Sequence, residues 1–373
     1  MAHTPPVSRV LMIPWEYPPF YTGGAGVACA GMVRGLLQRG TEVHIVLPWL
    51  GKILRPKPSG DLPEIPGYTA STGPDIAGVY GIDMETPSPV FVVPEINITF
   101  NLIHCHDWPT VPTALELKKR LGAPLVFHLH SLQSDREPTG GIRKIGELEQ
   151  EGCRRADMVI TVSKHTAGKV VSEYGVSSEK VRVLYNGHTL GNCPRTKRNY
   201  GTGNRRVLFL GRLVPQKGPD IFLKAAAILA EARNDVTFVI AGTGPMARKL
   251  REQLAGRIIF TGAVPRDEIS VLLDTSDILV MPSRAEPFGI AALEAMSRGC
   301  VVIITRTAGL TEIAKNVVSL EGENPVELAH LISDLLDDPE RMEAISRMTE
   351  EEASALNWEM RIPALLGFYD ELR

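Results

Sequence analysis

The sequence predicts an α/β protein built as two doubly wound domains. Three observations carry that reading. The chain has 373 residues, room for two α/β domains of ordinary size. Short apolar runs recur along it, and many are followed by a stretch that reads as a helix. Several of those runs hand over to a glycine-bearing loop and then a helix, and in open α/β sheets that edge is where ligands bind. Composition narrows the class further. Hydrophobic residues make up 44% and charged residues 22%, as in ordinary globular proteins. A net charge of −3 gives no electrostatic footprint for nucleic acid or an anionic membrane. No run is long and apolar enough to span a bilayer, and residues 1–6 do not read as a secretory leader. The five cysteines are scattered, odd in number and free of Cys-x-x-Cys pairs. A reduced, cytoplasmic enzyme is expected, with neither a disulfide framework nor a zinc motif.

Residues 9–13 read as the first strand. The loop 14–26, which holds Gly23 and Gly24, leads into a helix to about Arg39, with Gly40 as its C-cap glycine. Such a loop allows close backbone approach to a ligand, and the helix start suits phosphate. A dinucleotide fingerprint fits poorly: the glycines come late, and the next strand, 43–47, ends in Pro48 rather than an acid. Residues 50–88 are rich in Pro and Gly and read as a long excursion, followed by a short strand at 89–93. The strand 102–106 ends in Asp107-Trp108. Alternation puts His104 and His106 on one face, where a metal could sit, yet no third ligand motif is apparent. Asp107 reads equally as a cap for a helix at 110–120. The strand 124–131 ends at the same edge, so His130 stands where a ligand site should open, whereas a histidine inside a strand is more often a packed core residue. Asp135 and Arg136 follow it. A helix at 141–155, a strand at 158–163 and a strand from 181 to Gly187 complete residues 1–188. The polar stretch 189–206 reads as a linker.

The second domain, 207–355, opens with a strand and the loop Gly211-Arg212 to Lys217-Gly218. Two cations five positions apart on that loop can meet phosphate oxygens, Arg212 as a fork and Lys217 as a point charge. Strands at 236–241 and 258–262 follow, the first ending at Gly242 and Thr243, the second just before Val264. The run 278–281 then delivers Ser283-Arg284-Ala285-Glu286-Pro287-Phe288-Gly289-Ile290-Ala291-Ala292-Leu293-Glu294. Pro287 and Gly289 delay the helix and leave N–H groups at its start, a setting for an anion. Glu286 precedes the helix and Glu294 lies about two turns inside it, so the two carboxylates can meet different parts of one elongated ligand. Taken singly, each would read as a cap or a surface charge.

Glu-Pro-Phe-Gly with a second Glu eight positions after the first resembles the signature of retaining nucleotide-sugar glycosyltransferases, the group that includes glycogen and sucrose synthases. The likeness runs from Val10 to about Tyr369 and is thinnest over 50–88. The Trp-Glu-Tyr-Pro-Pro…Gly-Gly and His-x-His-Asp-Trp segments look most like the glycogen-synthase branch. The resemblance implies a GT-B fold, two Rossmann-like domains facing a central cleft, with a last helix at 356–373 crossing back to the first. It implies a nucleoside diphosphate sugar as donor and a saccharide or other hydroxyl acceptor, an α-glucan as the narrower expectation, with no cofactor and no metal. Catalytic roles would fall to Glu286, Arg212, Lys217 and His130. Donor binding would fall to Gly23, Gly24, Gly242, Thr243, Val264, Phe288, Gly289, Ile290, Ala291 and Glu294, and the sugar or acceptor side to Asp107, Asp135 and Arg136. The family continues its Asn-Gly with an apolar residue and Asp, whereas His188-Thr189 follows Asn186-Gly187 here, so nothing is carried over to Asn186. Two other readings compete. A nucleotide-sugar epimerase would need acids placed to remove a ring proton, and none is evident. A silent nucleotide-sugar-binding module would bind without turnover.

Overall fold

The computed structural model describes residues 8–20, 23–50, 52–57, 59–62, 94–136, 143–189, 203–253 and 258–373. The strand expected at 89–93 and most of the excursion at 50–88 lie outside them. The chain forms two compact units: Met1–Gly187 together with Trp358–Arg373, and His188–Asn357.

The first unit is a seven-stranded sheet. Its strands are β1 (Arg9–Ile13), β2 (Glu42–Leu47), β3 (Lys52–Leu54), β4 (Leu102–His106), β5 (Leu125–Leu129), β6 (Met158–Thr161) and β7 (Val181–Val183). They lie in the order β3-β2-β1-β4-β5-β6-β7, with β3 antiparallel to β2 and all other pairs parallel. The chain winds outward from β1 to β2, then returns to β4 on the other side. That reversal opens a crevice at the carboxyl ends of β1 and β4. The second unit has six parallel strands: β8 (Arg205–Leu210), β9 (Val236–Ala241), β10 (Ile258–Gly262), β11 (Ile278–Met281), β12 (Val301–Thr305) and β13 (Val318–Leu320). Their order, β10-β9-β8-β11-β12-β13, repeats the reversal between β8 and β11.

Parallel sheets covered by helices bury both faces of their strands, which is why these segments read as unbroken apolar runs. Every residue of β4, β5, β11 and β12 is buried. Each such Val, Leu or Ile contributes roughly 1.5–3 kcal/mol by leaving water. Helix starts are capped where the sequence offers a short polar side chain. The Ser163 hydroxyl accepts from Thr166 N, and the Asn324 and Asp338 side chains accept first-turn N–H groups just before Pro325 and Pro339. Helix Gly24–Gln38 carries Gly35 where helix Trp358–Asp370 crosses it. A Cβ there would stand 2.4 Å from Ile362 Cγ1, so only glycine lets the two helices close. No helix among the described residues is long and apolar enough to cross a membrane.

The structure moves several boundaries. β7 stops at Val183, short of the strand expected to Gly187; beyond it only Leu184 N still bonds the neighbouring strand, at Thr161 O. The helix expected at 110–120 spans Val111–Leu121 and is preceded by a 3₁₀ turn at Trp108–Thr110. The strand expected at 124–131 is Leu125–Leu129.

Candidate functional site

In the second unit the functional loops gather at the β8/β11 reversal. β8 ends at Leu210, and Gly211 and Arg212 follow at once. The turn then closes through Lys217 N to Val214 O and Gly218 N to Pro215 O. β11 ends at Met281 and delivers Ser283 and Glu286, both buried. The two loops meet in a direct ion pair, Lys217 Nζ to Glu286 Oε2 at 2.7 Å. Ser283 Oγ donates to the same oxygen at 3.1 Å. Around them, Gln216 Nε2 donates to Ala285 O, and Arg284 N donates to Gln216 O. Arg284 forks onto Asp220 with two bonds of 2.9 Å. A buried carboxylate needs such partners, because an isolated one would cost several kcal/mol. The loop is fixed from the far side as well: Gly309 N donates to Glu286 O and Leu310 N to Phe288 O.

Gly289 has φ 111 and ends this loop, and helix Ile290–Ser297 starts immediately after it. Its first-turn N–H groups, around Ile290 and Ala291, have no partner inside the helix and suit an anion. Two turns in, Glu294 is buried and gripped by Arg266. One guanidinium nitrogen reaches Oε2 at 2.9 Å and the other reaches Oε1. Arg266 follows Val264 by two residues, on the loop after β10, and also reaches Thr189 Oγ1 at 3.3 Å. The glycine turn after β9 meets the loop after β8, where Leu213 N donates to Thr243 O at 2.7 Å, and the end of β10, where Gly242 N donates to Gly262 O at 2.8 Å. Gly242 has φ 143, and a Cβ on it would lie 1.9 Å from Gly211 O, so the backbones of the two loops pass at a distance that only glycine permits. Glu286, Lys217, Arg212, Gly242, Thr243, Phe288 and Gly289 thus lie on loops at the ends of β8, β9 and β11, and Ile290 and Ala291 open the helix that follows. Val264 and Glu294 are tied in through Arg266.

In the first unit the carboxyl ends of β1, β4 and β5 collect a different set. His104 and His106 on β4 pair with β5 in a register that sets His106 opposite His128. The rings stack into a ladder with His130, adjacent planes tilted by 7–30°. His104 Nδ1 meets Tyr369 Oη at 2.6 Å, and its Nε2 meets His128 Nδ1 at 3.2 Å. His106 Nδ1 meets His130 Nε2 at 3.1 Å, and its Nε2 meets Met12 Sδ at 2.8 Å. His128 Nε2 is buried with no hydrogen-bond partner among the described residues. Burial holds all four imidazoles below their ordinary pKa range, and repulsion between rings adds to this for His104, His106 and His128. For His130 the Asp107 carboxylate pulls the other way. The ladder is therefore neutral.

Asp107 has φ 55, the one positive φ at a non-glycine position among the described residues. Its backbone N–H donates to His128 O, and its Oδ1 accepts from His130 N at 2.8 Å. Strain of this kind costs of order 1–3 kcal/mol and persists where surrounding contacts enforce it, often at functional sites. Because Asp107 takes the His130 N–H, what His130 can offer a ligand is its half-buried ring. Gly23 and Gly24 begin helix Gly24–Gln38, with Gly23 N bonded to Glu16 Oε2 at 3.1 Å. Asp135 and Arg136, expected on the sugar or acceptor side, bond to groups of their own unit. Asp135 accepts from Leu132 N and from Lys169 Nζ at 2.5 Å. Arg136 binds the buried Glu149 at 3.1 Å and Ser131 Oγ at 2.6 Å. Both brace the loop after β5.

Sequence reasoning did not single out Arg266, which grips Glu294. Arg266 had a legible signal, a cation two residues after the expected base contact.

Residues 195–352 match the model of the family described as glycosyl transferases group 1, and residues 22–191 match glycosyltransferase family 4. An uncharacterised glycosyltransferase of Methanocaldococcus jannaschii is 31% identical over 368 residues, covering 88% of this chain and 89% of the relative. A glycogen synthase of Mycobacterium tuberculosis is 28% identical over 392 residues, covering 97% and 94%. The solved sucrose-phosphate synthase from Thermosynechococcus elongatus superposes with a TM-score of 0.76 at 17% identity, covering 98% and 99%. The paired reversals, the loops they carry and these relatives converge: the chain belongs to the group 1 glycosyltransferases of the GT-B fold.

Proposed function

We propose that this glycosyltransferase moves a hexose from a nucleoside diphosphate sugar to a hydroxyl acceptor with retention at the anomeric carbon. The observation that carries the reading is the Lys217–Glu286 pair at the β8/β11 reversal, beside a helix start. A group that holds sugar hydroxyls and one that holds diphosphate oxygens must be neighbours, because the sugar and the phosphate are joined by the bond that breaks. As the anomeric C–O bond to the diphosphate breaks, negative charge grows on the leaving oxygen. Arg212, Lys217 and the N–H groups near Ile290 stabilise it, the kind of preorganised term that is usually the largest in catalysis. Glu286 grips the sugar hydroxyls, and Glu294, oriented by Arg266, takes the ribose. Thr243 and Val264 flank the nucleoside. His130, held through its backbone by Asp107, attends the reacting centre. The acceptor oxygen forms the new bond on the face the diphosphate leaves, and its proton passes to a departing phosphate oxygen. No further base is required. The cations that meet the diphosphate are side chains, so the reaction asks for no cofactor.

An α-glucan is the narrower acceptor; the glycogen synthase relative supports it. The cytoplasm is the expected compartment, in keeping with free thiols at Cys29, Cys105, Cys153 and Cys300. The test is a screen of UDP-, ADP- and GDP-sugars without added metal, following release of nucleoside diphosphate, then NMR of the product formed with a glucan primer. Slow hydrolysis of one donor and an α-linked product from an α-donor are expected. Failure to hydrolyse or transfer from any donor would overturn the reading, and a β-linked product would overturn retention.

A further inference from the structure

We propose that Cys29, His106 and His130 form a binding site for a thiophilic divalent cation of the zinc class. The site lies wholly within the first unit. The Cys29 sulfur and one nitrogen from each imidazole all lie within 4.8 Å of one another. His106 Nδ1 and His130 Nε2 are 3.1 Å apart. Tetrahedral zinc, with bonds of about 2.0–2.1 Å to nitrogen and 2.3 Å to sulfur, sets N–N near roughly 3.3 Å and N–S near roughly 3.6 Å. The two nitrogens are already at that spacing, and the sulfur needs to close by about an ångström at most.

The tautomer of His106 is fixed by an independent contact. Its Nε2 lies 2.8 Å from Met12 Sδ, and a thioether has no hydrogen to give. Nε2 is therefore the protonated nitrogen, and the lone pair of the neutral ring sits on Nδ1, facing His130. Holding the far N–H of a histidine in this way is how proteins orient imidazole ligands. There is also room beside the ligands. A small cavity is lined by Glu16, Cys29, His106 and Asp107, so a carboxylate oxygen or a water can fill a fourth position. Two nearby carboxylates and a thiolate also balance the charge of the cation. The donor set of one sulfur, two imidazoles and oxygen favours zinc-class ions over magnesium or calcium.

Binding involves no change in oxidation state. The Cys29 S–H bond breaks, the sulfur–metal bond forms, and one proton leaves to solvent. The His130 proton moves from Nε2 to Nδ1 through solvent, with no net loss. The cation performs no chemistry in transfer. It occupies the ring that the proposed function assigns to the reacting centre, so occupancy inhibits. The inhibition rests on that reading, whereas the binding does not.

The test uses the intact, reduced chain, stripped with a chelator and titrated with Co²⁺ alone. One equivalent should bind with the visible bands of tetrahedral cobalt, a thiolate-to-cobalt charge-transfer band and release of about one proton. Cys29→Ala should lose the charge-transfer band and at least tenfold in affinity; should that variant fail to fold, loss of the tetrahedral bands in His130→Ala serves instead. No uptake, an octahedral spectrum without the thiolate band, or unchanged uptake by Cys29→Ala would overturn the site. Zn²⁺ should then inhibit donor turnover in the wild type at concentrations at least tenfold lower than in Cys29→Ala. The full cobalt signature in a protein that turns over no donor would uphold the site and reject the functional reading instead.

Discussion

The two units reverse their sheets in the same way but fill the crevice with opposite chemistry. At the β4/β5 edge of the first unit stand four stacked, neutral imidazoles. At the β8/β11 edge of the second, full charges meet in pairs, Lys217 with Glu286 and Arg266 with Glu294. The difference follows from which groups can shed charge. An imidazole pressed into a low-dielectric interior gives up its proton and needs only one hydrogen bond at each nitrogen. A buried ion is tolerated where an opposite charge faces it, as Lys217 faces Glu286. The first unit therefore tolerates a crowd of like residues, while the second must assemble opposites from distant loops. A growing anion on a leaving group is best met by the second kind of site, one with charge already in place.

The largest effect should come from dismantling that charged site. Lys217→Ala should lower kcat/KM on the order of 10²-fold or more, as for other lost charge-stabilising donors. It also strands Glu286, so the melting temperature should fall. Adding Glu286→Gln should restore much of the stability without restoring activity. A nearly unchanged rate in Lys217→Ala would remove the lysine from the clamp. Next in size is a backbone effect. Gly242→Ala places a methyl 1.9 Å from Gly211 O, at φ 143. A loss of about 1–3 kcal/mol or more is expected in denaturant unfolding, and a neutral result would mean that the two loops separate easily.

The histidine ladder predicts an acid weakness in the first unit. The folded-state pKa values of His104, His106 and His128 are depressed, so the unfolded chain binds more protons than the folded one. Stability is then fully present above the unfolded histidine value, about 6.5. It is lost as pH falls below it, by up to about 1.4 kcal/mol per pH unit for each histidine. The groups facing these rings, Tyr369, Met12, Cys29, Asp107 and Glu16, bring two carboxylates, and each already accepts a backbone N–H, Asp107 from His130 and Glu16 from Gly23. His128→Asn in the metal-free protein should flatten the slope between pH 6.5 and 5, and an unchanged slope would show that the rings accept protons when folded. The smallest expected change is in Arg266→Ala. If Arg266 only orients Glu294, KM for the donor should rise a few-fold with kcat unchanged, whereas a fall in kcat alone would assign Arg266 to the leaving group.

Much of the fold was legible because it is written locally. β11 and β12 read as strands because each of their residues is buried between helices. The delay before helix Ile290–Ser297 was legible from Pro287 and Gly289. The contacts that turn those loops into a site were not, because they join residues far apart in the chain. Lys217 and Glu286 are 69 positions apart, and Arg266 and Glu294 are 28 apart. Alternation put His104 and His106 on one face, but the ladder depends on the β4/β5 register, which no single strand encodes. The partners of Asp135 and Arg136 were equally hidden. A charged pair after a strand looks available to a ligand until Lys169 and Glu149, from later helices, are seen to hold it.

The crossing of helix Trp358–Asp370 over Gly35 bears on how the molecule is made. A ribosome emits β1 to β7 first, then the whole of the second unit, and only then the helix that seats Ile362 on Gly35 and sets Tyr369 against His104. Domains usually fold in the order they are synthesised. Here the unit that is begun first is completed last. Until Trp358–Asp370 arrives, a groove on helix Gly24–Gln38 stands uncovered and His104 lacks its phenol. The nascent first unit is therefore a candidate client for chaperones throughout synthesis of residues 188–357.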